Sequence, residues 1–415
     1  MAEDEATPED LERIAVAWGA GPAGRVMAQL LQGRGWVDGT AVASFLHPRL
    51  ATGVRSPEAF GLGPVGAALG AAIATGRVLD VAAGTHLDAC LAGIILVDGL
   101  RQLGATITCS GGPHGADGVA VGVEGVSLTV GAPGALVRCG DILAPPTPFS
   151  LAGLAWYLLL AARQALSSGA PPNRRCDLRA LLDLVALGTV ARGVPLRDEN
   201  RVLVSAGLRR LNQSPRPVVV ALKEAGATSV FTVADLERQV IPRLQMAADL
   251  HALIEVGGVA AARAQIAAME VERAEIEWRE PLAQAATAVE ADVSLADLTP
   301  RFGSGLALFE PCGVGNPVPV FRARGARIVA MRLVGDPARR LARIRLRQDG
   351  RTVSGRLRGT AIDAVLPGEV VDVTFRVAVV RWQGRERLEL EVLAIQLPEN
   401  AHQNDLLTLR SSPAS

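Results

Sequence analysis

The stretch from Val78 to Cys109 constrains this chain more than any other. A short apolar strand at Val78–Ala82 runs into a loop at Ala83–Asp88, an apolar helix spans Ala89–Leu103 and stops at Gly104, and a second strand follows at Thr106–Cys109. Strand, helix and strand within about 30 residues make a βαβ unit. Such a unit predicts a parallel sheet whose functional edge lies at the C-terminal ends of its strands.

Around this unit the pattern is helical. Helices are expected at Gly24–Gln32, Ala41–Phe45 and Val65–Thr75 before it. After it come Leu151–Leu166, Leu178–Leu187 ending at Gly188, Asp198–Leu211, Pro217–Ala225 and Val233–Gln239. Gly111–Gly134 reads as loops with short strands, and Ala135–Val137 as a further strand. From Arg243 to Glu280 an alanine-rich, charged run predicts a long solvent-facing helix or helical hairpin.

At Pro317 the period changes from helical to alternating. Ile328–Leu333, Leu341–Arg347, Thr352–Leu357, Val370–Val380 and Arg387–Ile395 are broken by Gly335-Asp-Pro, Asp349-Gly and Gln383-Gly. Five short strands in about 80 residues predict a small barrel. This end also differs in charge. The net charge of the chain is zero, yet 317–397 carries 16 Arg against 8 Asp and Glu, so the remainder must be acidic by the same amount. A basic module on a body that is not basic points to a polyanionic partner.

Other classes are disfavoured. The apolar runs, such as Leu151–Ala162, are too short for a bilayer span, and the N-terminal Met1-Ala-Glu-Asp-Glu has the wrong sign for a signal peptide, so a cytoplasmic protein without a membrane partner is expected. Five scattered cysteines with no C-x-x-C pair read as buried reduced thiols.

Three strings resemble the RecJ-like single-stranded-DNA-specific exonucleases of the DHH phosphoesterase superfamily. One is Leu181-Leu-Asp-Leu-Val-Ala-Leu-Gly-Thr-Val-Ala191, continuing through Val194-Pro-Leu and Glu199-Asn-Arg-Val-Leu-Val to Gly207-Leu-Arg-Arg-Leu211. Another is Gly313-Val-Gly-Asn-Pro-Val-Pro-Val-Phe321, similar to the family's lead into its C-terminal OB domain; the third is Trp382-Gln-Gly near that domain's end. With Phe45-Leu-His-Pro-Arg-Leu the resemblance touches most of 20–397. It implies an α/β fold with a DHH-type parallel-sheet domain and helical linker, followed by a small all-β OB-fold domain. The expected order is a helical lead-in at 1–62, a degenerate DHH-like domain at 63–190, a helical linker region at 191–289, a connector at 290–316, the OB fold at 317–397 and a disordered tail at 398–415.

The family cuts single-stranded DNA from the 5′ end with two divalent metals, manganese or magnesium. Two hard cations about 4 Å apart need several carboxylates and one or two imidazoles. Against the family's D-x-D-x-D-G motif this chain reads Gly84-Thr-His86-Leu-Asp88-Ala. Gly84 and His86 stand where the first two aspartates belong, and only Asp88 remains. No His-His pair occurs, and Arg138-Cys-Gly-Asp141 lies near that motif's place. Arg192 follows Thr-Val-Ala where the family has an aspartate. Nor is there room between Glu280 and Val289 for the family's DHHA1 domain, or any Gly-Gly-His motif. These departures predict a nuclease-dead protein. His86, Asp88 and Asp141 remain the weak metal candidates, His114, His47, His251 and His402 read as ordinary loop or surface histidines, and no cofactor is expected unless residual activity uses manganese or magnesium.

The OB-like strands supply a different chemistry. Arg343, Arg345 and Arg347 alternate with Ile344 and Leu346, so the arginines share one strand face, and Arg356 and Arg358 repeat the pattern. With Arg322 and Trp382 they form the expected single-stranded nucleic-acid surface. The competing expectation is a soluble barrel whose arginines pair with Glu386, Glu389 and Glu391. At the level of function the leading expectation is a DNA-binding or scaffold protein in repair, recombination or replication, with a protein partner there. The alternatives are an active 5′–3′ exonuclease or other phosphoesterase, and a pure protein-interaction module.

Overall fold

The computed structural model describes residues 21–36, 38–109, 118–123, 126–131, 136–139, 142–143, 147–167, 177–226, 230–247, 249–273, 288–334, 341–358, 362, 365–382 and 385–397. The expected tail at 398–415 lies outside the described residues. The chain forms two compact units that do not follow its order. One contains Pro48–Leu282 and Pro311–Pro317; the other contains Met1–His47, Ala283–Glu310 and Val318–Ser415. Among the described residues no helix is long and apolar enough to cross a membrane.

Two helices open the described chain, α1 (Pro22–Gly33) and α2 (Gly39–Leu46), with Asp38 capping the second by accepting from Thr40 N and Ala41 N. The larger unit follows: α3 (Gly63–Ala74), β1 (Val78–Ala83), α4 (Leu87–Gln102), β2 (Thr106–Cys109), β3 (Gly118–Val123), β4 (Val126–Gly131), β5 (Leu136–Cys139), β6 (Ile142–Leu143), α5 (Leu151–Ser167), α6 (Leu182–Arg192), α7 (Asp198–Gln213), α8 (Pro217–Ala225) and α9 (Val259–Arg273). Its sheet runs β2-β1-β3-β4-β5-β6. The β1–β2 pair is parallel, with Val78 opposite Thr106, as the βαβ reading requires. From β1 to β3 and onward each pairing is antiparallel. The parallel sheet expected from the sequence is therefore a mixed one. The reason is connection length: β3, β4, β5 and β6 follow one another through segments too short for a crossover, and only hairpins fit.

The helix α4 is apolar all round, and its Leu91, Ile95, Leu96 and Leu100 are at most 1% exposed. It is buried among β1, α5 and α6. The helix α6 runs past Gly188, where the sequence suggested a stop, to Arg192; Gly193, at φ 68°, ends it. Gly188 is needed for close approach instead of termination. The predicted long run from Arg243 is broken, with a short helix at Leu250–Ile254 and Gly257-Gly258 before α9. Cysteine placement also differs from the buried set expected. Cys312 is buried, Cys90 half-buried, and Cys109 exposed on the edge strand β2.

The motif strings at 199–201 and 313–316 meet within this unit. Gly313 and Asn316 close a tight turn, 2.8 and 3.0 Å between their backbone N–H and carbonyl groups. Arg201, 2% exposed, donates to the Pro311 carbonyl at 3.1 Å, and Asn316 donates to the same carbonyl at 2.8 Å. Leu196 N donates to Val314 O at 2.7 Å, and Asn200 donates to the Pro148 and Pro195 carbonyls. Asp183 of α6, 1% exposed, receives Arg216 at 2.8 Å. The strings most diagnostic of resemblance thus form internal joints.

The second unit holds β7 (Ala291–Asp292), α10 (Pro300–Ala307), β8 (Phe321–Leu333), β9 (Leu341–Gln348), β10 (Arg351–Arg358), β11 (Val370–Trp382) and β12 (Arg385–Gln396). Strands pair in the order β11-β12-β10-β9-β8, and β11 returns to β8, so five strands close a barrel with β7 added beside β8. Only β10–β12 is parallel within the barrel. This is the connectivity of an OB fold. Phe321, Ile328, Ile344, Leu346, Val373 and Phe375 are fully buried and fill it. The lead-in joins this unit: Arg34 after α1 forms a two-pronged pair with Glu290 at 2.8 and 3.0 Å, and Trp36 stacks on Phe45, which meets Phe309 edge-on.

Candidate functional site

Two places carry the residues singled out by the sequence, one in each unit. In the α/β unit, Gly84 is buried just after β1, and His86 is exposed at the start of α4. Asp88, in the first turn of α4, is fully buried. Its Oδ2 accepts from Leu151 N at 2.8 Å and its Oδ1 from Ala152 N at 3.0 Å. These N–H groups open α5 and have no partner inside that helix, so the carboxylate caps it from a distance. Ser150 completes the cap by accepting from Gly153 N at 3.0 Å, and its hydroxyl meets Thr189 at 3.0 Å. A Cβ on Gly188 would lie 2.6 Å from Asp88 Oδ1 and 2.5 Å from Ala152 Cβ, which is why α6 carries no side chain there.

The electrostatics follow from burial. Loss of solvent pushes the Asp88 carboxyl up to about 6, against the opposing pull of the Leu151 and Ala152 N–H groups and the charges of Arg192 and His86. Arg192, half-buried at the end of α6, therefore places a guanidinium in the field of the one remaining carboxylate. The described residues do not fit a two-metal centre. Glycine offers no ligand, arginine repels a dication, and Asp88 is sealed from solvent with both oxygens engaged. Among the described residues no group of three or more His, Cys, Asp or Glu side chains converges. His47 and His251 are exposed. Asp141, His114 and His402 lie outside the described residues.

On the barrel, strand register decides which arginines meet. Arg343 lies opposite Arg356 of β10 and Arg332 of β8; Arg345 lies opposite Ser354 and Ala330; Arg347 lies opposite Thr352 and Arg327. Directly opposed residues share a face, so these side chains project from one side of the barrel. Arg332, Arg343, Arg345, Arg356 and Arg387 line an open cavity of about 510 Å³ together with Glu389. Glu389 sits 3.6 Å from Arg343 and 3.2 Å from Arg356. Among the described residues Arg332, Arg345, Arg347 and Arg387 have no carboxylate partner, and on this face Arg343 and Arg356 are the paired ones; the side chain of Glu386 lies outside the described residues.

Other expected members fall elsewhere. Arg322 is held by Asp292 of β7 at 2.7 and 3.1 Å, and Arg324 joins the same carboxylate at 3.1 Å. Those arginines hold the Asp292 carboxyl below its usual range. Arg322, expected on the nucleic-acid surface, is thus ion-paired. It heads β8 beside β7, and Asp292 lies directly across. Arg358 and Trp382 end β10 and β11, and their side chains lie outside the described residues. Phe321 and Phe375 are fully buried, so neither ring is placed to stack on a base. Sequence reasoning missed Arg332 and Arg387. The register of β8 against β9 shifts between Ile328 and Ala330, and this bulge moves Arg332 onto the face that simple alternation from Ile328 denies it.

Comparison with known proteins agrees with both units. A family model described as the RecJ OB domain matches residues 289–394. The "Single-stranded-DNA-specific exonuclease RecJ" of Haemophilus influenzae is 37% identical over 124 residues, 28% of this chain and 20% of that protein. Its namesake from Salmonella typhimurium is 42% identical over 109 residues, 24% of this chain and 18% of that protein. The matched stretch spans about a fifth of the length of these curated relatives. The crystal structure of RecJ in complex with Mg2+ from Thermus thermophilus superposes with a TM-score of 0.65 at 19% identity, covering 95% of this chain and 78% of that one. The likeness to that structure is one of fold.

Proposed function

We propose that this RecJ-like chain binds single-stranded nucleic acid on the arginine face of its OB barrel and does not hydrolyse it. The observation that carries the reading is the pairing of that face with the state of the other site. Exposed guanidinium groups project from the barrel, while the surviving carboxylate of the metal motif is buried as a helix cap. The relatives matched in sequence are named for action on single-stranded DNA, which makes DNA the favoured ligand. A cytoplasmic role as a DNA-binding or scaffold protein in repair, recombination or replication follows, with a protein partner from that machinery.

The chemistry of such binding is mainly electrostatic. Each phosphate neutralised by an arginine releases counterions, and for single strands log K falls with log salt by about 0.7 per phosphate. With Phe321 and Phe375 inside the barrel, sequence-tolerant backbone contact dominates over aromatic stacking. Arg345→Ala and Arg347→Ala should each weaken binding of labelled oligothymidylate and flatten the salt slope by about 0.7. Arg322→Ala, which removes a cation already held by Asp292, should leave affinity nearly unchanged. Equal effects of all three substitutions would remove this face from the account.

A further inference from the structure

Among the described residues Glu389 is the one carboxylate lining a cavity with five arginines. Its side chain is 17% exposed, and its Oε2 is buried without a hydrogen bond although Arg356 Nε lies 3.2 Å away. Its Oε1 is 3.6 Å from Arg343 Nη2, beyond hydrogen-bond reach. A half-sequestered carboxylate that is charge-paired on both sides yet hydrogen-bonded on neither is poorly satisfied for its burial. A phosphodiester would satisfy the same two guanidinium groups better, because its anionic oxygens accept two-pronged arginine hydrogen bonds. The position is also set by the fold. Arg343 and Arg356 lie directly opposite each other on β9 and β10, and β12 runs parallel beside β10, bringing Glu389 to the same face.

We infer that Glu389 is an internal counter-anion, holding the place of a backbone phosphate between Arg343 and Arg356 and competing with it. It sets the affinity and salt sensitivity of the groove without touching a base, and it marks the Arg343–Arg356 pair as a phosphodiester subsite. This inference rests on the barrel face being the nucleic-acid surface.

The test compares the full chain with Glu389→Gln, Glu389→Asp and Glu58→Gln. The last makes the same charge change at an exposed position of the other unit, away from the cavity. Binding of labelled oligothymidylate is followed by anisotropy between about 50 and 200 mM salt. Glu389→Gln should bind roughly tenfold more tightly at low salt, with a slope steeper by about 0.7. Glu58→Gln should follow the wild type. Glu389→Asp, too short to span both arginines, should fall between wild type and Glu389→Gln, and it keeps the comparison available should the glutamine variant fold poorly. If Glu389→Gln binds equally or less well while Arg345→Ala still weakens binding, the inference is overturned, since Glu389 then positions the arginines. A wild-type protein that binds no oligonucleotide overturns the nucleic-acid reading and this inference with it.

Discussion

Asp88 stands at a position of the metal-motif resemblance, and in the fold it caps the start of α5. Gly84 and Arg192 are legible in the sequence as departures from the family's motif, because neither can donate electrons to a cation as a carboxylate does. What Asp88 does instead was not legible, because the N–H groups it caps lie 63 and 64 positions away. The buried cap predicts a pH signature. The folded chain holds the Asp88 proton up to about pH 6, above its ordinary value of 3.8. The stabilising contribution of that proton is complete below about pH 4 and lost as pH rises through 6. Roughly two decades of proton affinity correspond to about 3 kcal/mol. Urea unfolding of Asp88→Asn should therefore lack this part of the decline between pH 4 and 7. Wild type and variant with the same pH dependence would show that burial does not govern this carboxyl.

Among elements, the strand β9 was readable because Arg343, Arg345 and Arg347 alternate with fully buried Ile344 and Leu346. Its neighbour β8 was only half readable, since the bulge after Ile328 reverses the phase for Arg332. Alternation is a local rule, and an inserted residue is visible only once the partner strand is known. The helix pair α6 and α7 makes a related point. A Cβ at Gly207 would lie 2.2 Å from the Leu182 carbonyl oxygen and 2.5 Å from Ala186 Cβ, so the two helix backbones nearly touch. Backbone atoms cannot swing aside as a flexible side chain can. Gly207→Ala should cost about 1–3 kcal/mol in urea or thermal unfolding. A variant as stable as the wild type would mean that the helices separate freely.

For the whole molecule, the change of period at Pro317 and the excess of arginine beyond it were enough to expect a basic barrel on a larger α/β body. The grouping of the N-terminal helices with the barrel unit was not readable. It depends on Arg34 meeting Glu290 and Phe45 meeting Phe309, contacts spanning more than half of the chain, which no local pattern encodes. A buried aspartate that caps a helix in the α/β unit and a cationic face on the barrel together carry the proposal of a RecJ-like protein that binds single strands without cutting them. The most direct measurement is a titration of labelled single-stranded DNA with the purified chain, with and without manganese, read by anisotropy and then on a denaturing gel. Saturable binding with intact DNA under both conditions is the predicted result. Manganese-dependent shortening of the DNA, abolished by Asp88→Ala, would contradict it.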